Sequence, residues 1–362
     1  MLKPVSLPDR IESFVCRWSS PSNIAVVKYW GKLREQLPAN ASLSFTLDAC
    51  RTDTVLEITP RTDAPQDGKK YDLTVLLDGE PAPGFEPKIV RFFDRIAPYA
   101  PYLERYAFRV RTSNTFPHSS GIASSASGIS ALAASLVDFE SECAGAVYSP
   151  HEFRRRASFY ARLGSGSAAR SIYGGAVLWG ECAHLEGSSP LYAVPLAEND
   201  VHPVFRDMRD TVLLVEQGVK SVSSSAGHAL MNGHPYAPAR FAQAQRHVEQ
   251  LLDILRTGQI EAFGTLAESE ALTLHAMMMT ASPAYILFRP STIAVLERVW
   301  QARREKGLPV YFTLDAGANV HLLYPGQAEV SVRDFIHREL SEFCAGRMIH
   351  DRVGQGARKE SL

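Results

Sequence analysis

The sequence has no run of about 18 apolar residues, so no membrane-spanning helix is expected. Residues 1–17 mix Lys3, Pro4, Asp9, Arg10 and Glu12 and lack the apolar stretch of a signal peptide. Cysteine is sparse. Cys16, Cys50, Cys143, Cys182 and Cys344 are scattered, odd in number and never spaced C-x-x-C. A disulfide framework and a structural zinc site are therefore not expected, and reduced thiols in a cytoplasm are the simplest reading. Neither charge sign is in excess: Lys+Arg is 38, Asp+Glu is 39, and the net charge is -1. That excludes bulk steering toward nucleic acid or an anionic membrane, and leaves room for a local basic cluster that takes a small anion. G-x-x-x-x-G-K-[ST] occurs nowhere, so there is no Walker A loop. The absence of G-x-S-x-G weakens a serine-hydrolase reading. No His/Asp/Glu cluster has ligand spacing, so no protein-only metal cage is expected. The sequon Asn40-Ala41-Ser42 reads as chance.

What is present is a 362-residue chain that is 45% hydrophobic and 21% charged, the balance of a globular protein with one large or two ordinary domains. Residues 53–60, 71–79 and 106–112 alternate as strands do, and 211–216 reads as a buried strand. Residues 129–137 and 241–255 carry helical spacing, and 151–162 looks helical and basic. Residues 309–314 and 320–324 read as two strands around Asp315-Ala316-Gly317-Ala318-Asn319. Pro and polar residues cluster at 184–208, the best place for a boundary. The pattern is neither regular βαβ nor all-β, so mixed α+β with antiparallel sheets is expected.

Four segments carry chemistry. Pro117 to Gly128 (PHSSGIASSASG) is a Gly/Ser-rich loop between a strand and a helix. Such a loop offers inward N–H groups and hydroxyls to phosphate, or it simply caps the helix. Residues 164–171 (GSGSAARS) also satisfy G-x-G-x-x-[GA], but a helix rather than a strand precedes them, against dinucleotide binding. Two hydroxyls and a guanidinium there suit a multiply charged phosphate; the alternative is a tight helix-strand connection with a surface Arg. Residues 22–32 place Lys28 and Lys32 in an apolar run with Tyr29 and Trp30 between them. A lysine there is costly to bury unless an anion pairs with it; the alternative is a strand with snorkelling lysines. Asp315 is placed to act as a base or to orient a hydroxyl, although from spacing alone an Asp-Gly hairpin turn is the commoner meaning. Residues 222–225 (VSSS) could touch phosphate or cap a helix. His275 beside Met277, Met278 and Met279 reads as packing.

Taken together, NIAVVKYWGK (23–32), NTFPHSSGIASSASG (114–128), GSGSAARSIYGG (164–175), VSSS (222–225) and TLDAGANVHLL (313–323) resemble, in order, the signatures of the diphosphomevalonate decarboxylases of the GHMP kinase superfamily. The resemblance implies an α+β fold: a half like ribosomal protein S5 domain 2 over 1–190, and a ferredoxin-like half over 191–362 carrying Asp315. It implies ATP-dependent decarboxylation of (R)-5-diphosphomevalonate, ATP and Mg2+ as cofactors, a cytoplasmic homodimer, and no nucleic-acid or membrane partner. By motif match, Asp315, Lys28, Arg170 and Asn23 are the expected catalytic group. Tyr29, Trp30, Gly31, Lys32, Ser165, Gly166, Ser167, Ala168, Ala169, Arg170 and Ser225 are expected at the substrate. Ser119, Ser120, Gly121, Ile122, Ala123, Ser124 and Ser125 are expected at the ATP phosphates, with Mg2+ near Ser124.

The chain departs from the family pattern in three places. His118 stands where Thr is usual, Ala318 where Pro is usual before Asn319, and Lys88 where a substrate-contacting Arg is usual. Lys keeps the charge but loses the planar fork, which bears on how many phosphates the substrate carries. A phosphomevalonate decarboxylase and a mevalonate 3-kinase are the near alternatives. Another GHMP small-molecule kinase and a non-catalytic binding protein are the distant ones.

Overall fold

The computed structural model describes residues 3–5, 11–61, 68–117, 122–143, 148–216 and 222–362, apart from the side chain of Ser224. In chain order the elements begin with β1 (Phe14–Val27), β2 (Ser42–Pro60), β3 (Asp72–Leu77), β4 (Glu80–Pro81), α1 (Glu86–Ile96) and β5 (Tyr106–Asn114). Then come α2 (Ser124–Cys143), α3 (Pro150–Gly164), α4 (Ala168–Ser171), β6 (Ala176–Gly180), β7 (Ser189–Pro195), α5 (Pro203–Arg206) and β8 (Met208–Leu213). The rest are α6 (Ser224–Ala229), α7 (Ala237–Thr257), α8 (Ile260–Met279), α9 (Pro290–Lys306), β9 (Tyr311–Thr313), β10 (Val320–Pro325), α10 (Glu329–Phe335), β11 (Met348–Arg352) and β12 (Arg358–Glu360).

The fold is mixed α+β, as the pattern predicts. Among the described residues the strands form two sheets. The larger runs β12-β1-β2-β5-β3-β4, with β6 on β2 and β7 on β6; the smaller runs β11-β8-β10-β9. All pairs are antiparallel except β3 on β5. The long strand β2 organises the first sheet. Its first residues pair with β6 (Ser42 opposite Trp179), and its second half pairs with β5 (Leu56 opposite Val110). The stretch 184–208, expected as a boundary, contains β7. Pro190 and Pro195 are tolerated there because β7 pairs only with β6, so its other edge needs no N–H.

Helix α2 shows why the 129–137 stripe is only part of the truth. It starts at Ser124, and Ala126, Ser127 and Ile129 through Glu140 are all buried. Small side chains allow close approach on every side, and the hydroxyls find partners: Ser127 Oγ lies 2.6 Å from Thr52 Oγ1, and Ser130 Oγ 2.6 Å from Ser20 Oγ. Helix α3 opens on a capping box. Ser149 Oγ accepts from Glu152 N, and Ser149 N donates to Glu152 Oε2 at 2.9 Å. One core cluster joins the two sheets. Ile24, Leu43, Phe45 and Leu47 pack with Val212, Leu251, Leu255, Phe263 and Leu323. Each large side chain buried there contributes roughly 1.5–3 kcal/mol, which fixes one half of the chain against the other.

Candidate active site

Strand β1 ends at Val27, and the backbone of Lys28 leaves the sheet between two side-chain partners. Its N–H donates to Glu270 Oε2 at 2.8 Å, and its carbonyl accepts from Asn40 Nδ2 at 3.0 Å. Glu270 is fully buried and is itself held by Arg240, at 3.0 and 2.5 Å, and by His247 Nδ1 at 2.6 Å. The Lys28 side chain thus leaves a fixed point. Its Nζ donates to Asp315 Oδ1 at 3.1 Å, across 287 positions of sequence. Lys28 is 1% exposed, so the expectation that an anion must pair with it holds. Burial still pulls its ammonium below the ordinary lysine range, with Asp315 opposing that pull.

Asp315 sits in the connection between β9 and β10, whose register pairs Thr313 with His321. The hairpin reading of this stretch therefore holds, with Asp315 in the β9–β10 connection. Its carbonyl accepts from Gly317 N at 2.7 Å and from His275 Nε2 at 3.1 Å. Because a carbonyl only accepts, the His275 proton is on Nε2. The ring stacks on Phe288 with centroids 4.1 Å apart. His275 packs, as expected, and also holds the Asp315 backbone. Ala318 is buried, and its carbonyl accepts from Thr292 Oγ1 at 2.8 Å, a bond that Pro at the same position could equally receive.

Arg170, in α4, is 2% exposed. Its Nε donates to Asn23 Oδ1 at 3.2 Å, and an Nη1 donates to Ser42 Oγ. Asn23 is anchored in turn by Ser171 Oγ at 2.8 Å and the Ser167 carbonyl at 3.2 Å. Burial lowers the Arg170 guanidinium to about 10, with Asp315 pulling the other way, so it stays cationic at neutral pH.

These groups meet in a cleft of about 400 Å³. From the first half of the chain come Asn23, Lys28, Tyr29, Trp30 and Lys32, then Lys88, Ala123, Ser124 and Ser125, then Ser165, Gly166, Ser167 and Arg170. From the second come Ser223, Ser225, His228, Leu274, Asp315 and Ala316. Three expected residues stand behind the wall. Ala168 and Ala169 are fully buried, and Ile122 turns its carbonyl to Ser22 Oγ at 3.1 Å. A fourth, Gly31, does not line the cleft either: its φ of +109° and the 2.8 Å between a built Cβ and Phe241 require glycine, and its N–H donates to His228 Nδ1. His118, Ser119, Ser120 and Gly121 lie outside the described residues. The two Ser-rich segments touch, Ser125 Oγ and Ser165 Oγ lying 3.5 Å apart. Ser223 caps α6, its Oγ accepting from Ala226 N at 3.2 Å, so that segment both caps and lines the cleft.

The cleft is cationic. Burial lowers Lys32 to about 8, aided by Arg95 and Lys88, and burial with Arg91 lowers Lys88. Half-buried cations lowered by burial and by neighbouring cations call for an anion. A smaller apolar pocket of about 90 Å³ adjoins, sharing Lys88, Ser124 and Ser125 and walled by Val75, Leu77 and Val110. Sequence reading missed this pocket, His228, Glu270 and the carbonyl-holding role of His275. None has a local signal, because their partners are remote backbone atoms or other strands.

An acid paired to a buried lysine, beside a buried arginine in a cationic cleft of an α+β fold, defines an enzyme that works on anionic small molecules. The family described as diphosphomevalonate decarboxylase-like N-terminal domain matches residues 20–190. The diphosphomevalonate decarboxylase of Aspergillus fumigatus is 30% identical over 84% of this chain and 76% of its own length. A phosphomevalonate decarboxylase of Haloferax volcanii is 29% identical over 82% of this chain and 84% of its own. A solved complex of a protein designated MDDEF with MVAPP, AMPPCP and magnesium superposes with a TM-score of 0.79 at 27% identity, covering 97% of this chain and all of that one. The chain belongs to the diphosphomevalonate decarboxylase family.

Proposed function

We propose that the protein converts (R)-5-diphosphomevalonate and ATP to isopentenyl diphosphate, ADP, phosphate and CO2. The observation that carries this reading is the contact of Lys28 Nζ with Asp315 Oδ1 in the cleft that Arg170 also lines. In the first stage Asp315 orients the tertiary 3-hydroxyl and accepts its proton. The hydroxyl oxygen bonds to the γ-phosphorus as the bond to ADP breaks. In the second stage the C3–O bond to the new phosphate breaks. The C1–C2 bonding pair becomes the C2=C3 double bond, and C1 leaves as CO2. Phosphate is the leaving group, so no electron-sink cofactor is needed.

Each residue has a task in this reading. Lys28 keeps Asp315 ionised before transfer. Arg170, oriented by Asn23, meets the departing phosphate with two N–H groups. Tyr29, Lys32, Lys88, Ser165, Ser167 and Ser225 surround the remote diphosphate, whose binding energy is used at the reacting end. Ser124 and Ser125, with the loop before them, take the phosphates of MgATP, and the adjoining apolar pocket takes the base. The MDDEF complex with AMPPCP and magnesium supports the nucleotide assignment. The division into 1–190 and 191–362 belongs to the same reading and is supported by the two sheets, although β7 and β12 both lie on the first. Five free thiols suit a reducing cytoplasm, and homodimeric assembly is carried over from the family.

The test is a coupled assay of ADP and CO2 with mevalonate carrying one or two phosphates. Equal yields of both products from the diphosphorylated substrate are expected. Preference for the monophosphate would move the assignment to the activity named for the Haloferax relative. ADP without CO2 would make the protein a 3-kinase, and neither product would reject the reading.

A further inference from the structure

We propose that His228 is a substrate-binding residue: an imidazole locked with its proton on Nε2, which donates to the phosphorylated end of the substrate. The inference rests on the function proposed above and adds a residue to its site.

His228 is 7% exposed and lines the cleft. Its Nδ1 lies 3.0 Å from the backbone N of Gly31. A backbone N–H can only donate, so Nδ1 presents its lone pair. The ring is therefore neutral, with its proton on Nε2. Two aromatic neighbours hold it in place, Tyr29 with centroids 4.5 Å away and Trp30 at 4.6 Å. Nε2 has no hydrogen-bond partner among the described residues and is not sealed from the cleft. A donor that faces the cleft without a protein partner is available to a ligand atom that accepts from it.

The chain is built to bring this ring in. His228 lies on α6 beside Gly227, where a built Cβ would come within 2.6 Å of Trp30 Cζ2. Glycine there lets Trp30 close on the helix and sets the imidazole against Gly31. The same segment, 29–32, thus holds His228 and carries Lys32. Burial drives the imidazole well below its ordinary range, and Lys32 is the charge that adds to the effect. His228 and Lys32 line the same cleft. A phosphate oxygen in the cleft accepts from Nε2 without protonating the ring, since a proton on Nδ1 would break the Gly31 bond.

Two substitutions separate substrate binding from a structural role. His228→Asn keeps an acceptor near the Nδ1 position for Gly31 and removes the donor. His228→Gln removes that acceptor and keeps a donor near the Nε2 position. Binding predicts that His228→Asn raises KM for diphosphomevalonate by about tenfold or more, with KM for ATP little changed and Gln the milder substitution. A purely structural role predicts the reverse order, with Asn near wild type, and that result overturns the proposal. Should the Asn variant fail to fold, Gln decides alone: a KM near wild type upholds the proposal and a tenfold rise overturns it. Calorimetry of the same ligand provides the control. If the wild type neither binds nor turns over diphosphomevalonate, the functional reading falls and His228 with it. If it does both and His228→Asn binds equally well, His228 alone is rejected.

Discussion

At the scale of single residues, stability and activity pull against each other at Lys28. Burial outweighs the attraction of Asp315, so the charged lysine is a net burden on the fold. Lys28→Met, similar in volume and apolar, is predicted to be as stable as wild type or more so, by up to about 4 kcal/mol, and to have lost turnover. Asp315→Asn is predicted to do the opposite to stability. It strands the ammonium, at a cost below the roughly 3–5 kcal/mol of a fully buried pair because the Asp315 side chain is 28% exposed. Its kcat should fall by about 10²–10⁴ while substrate still binds. Denaturant melts and single-turnover assays on the two variants check this. A destabilised Lys28→Met would refute the ranking of the two effects.

Lys32 gives the pH dependence. With its ammonium lowered to about 8, the free enzyme loses that charge as pH rises through 8, whereas an unfolded lysine keeps it to about 10.5. Fold stability therefore rises with pH between those values, because the unfolded chain binds the extra proton there. Anion binding goes the other way. It is strongest below pH 8, so KM for the phosphorylated substrate should climb above it. A KM profile flat from pH 7 to 9.5 would remove Lys32 from the anion site. Sequence pattern makes Lys28 and Lys32 visible, because charge in an apolar run demands a partner. It does not reveal His228, whose partner is a backbone nitrogen 197 positions away, or Glu270, which is 242 positions from the N–H it holds.

At the scale of elements, periodicity locates α7, β3 and β5 to within a few residues because each has one face toward a core. It does not find α8, which is apolar nearly all round and buries Glu268, Glu270 and His275 among its hydrophobics. Nor does it give the full length of β1, whose last ten residues are all buried and so do not alternate. The site depends on one contact between elements that no period encodes, the closure of Trp30 on α6. Gly227→Ala places a methyl 2.6 Å from Trp30 and 2.7 Å from the Tyr285 hydroxyl. Overpacking there should cost about 1–3 kcal/mol and displace segment 28–32. A shifted tryptophan emission with a raised KM is expected. An unchanged KM would show that segment and helix are positioned independently.

At the scale of the whole molecule, the Lys28–Asp315 contact joins the ends of strands in two sheets, so whatever joins the sheets also sets its distance. Besides the shared core, the join is a carboxylate. Asp351, on β11 of the second sheet, accepts from the backbone N–H groups of Asp48, Ala49 and Cys50 on β2 of the first, at 2.9, 2.8 and 2.8 Å. The chain then returns as β12 to pair with β1, and on the way the Gln355 and Gly356 carbonyls accept from Arg51. Asp351→Asn sets an amide N–H against a backbone N–H and should cost about 1–3 kcal/mol. Because the hydrophobic cluster between the sheets is continuous, the loss should appear as a single denaturant transition moved to lower midpoint with unchanged slope. Two separated transitions would mean that the halves fold independently and that the carboxylate, not the core, couples them. In that event turnover should fail with the first transition, since unfolding of either half removes one partner of the Lys28–Asp315 contact.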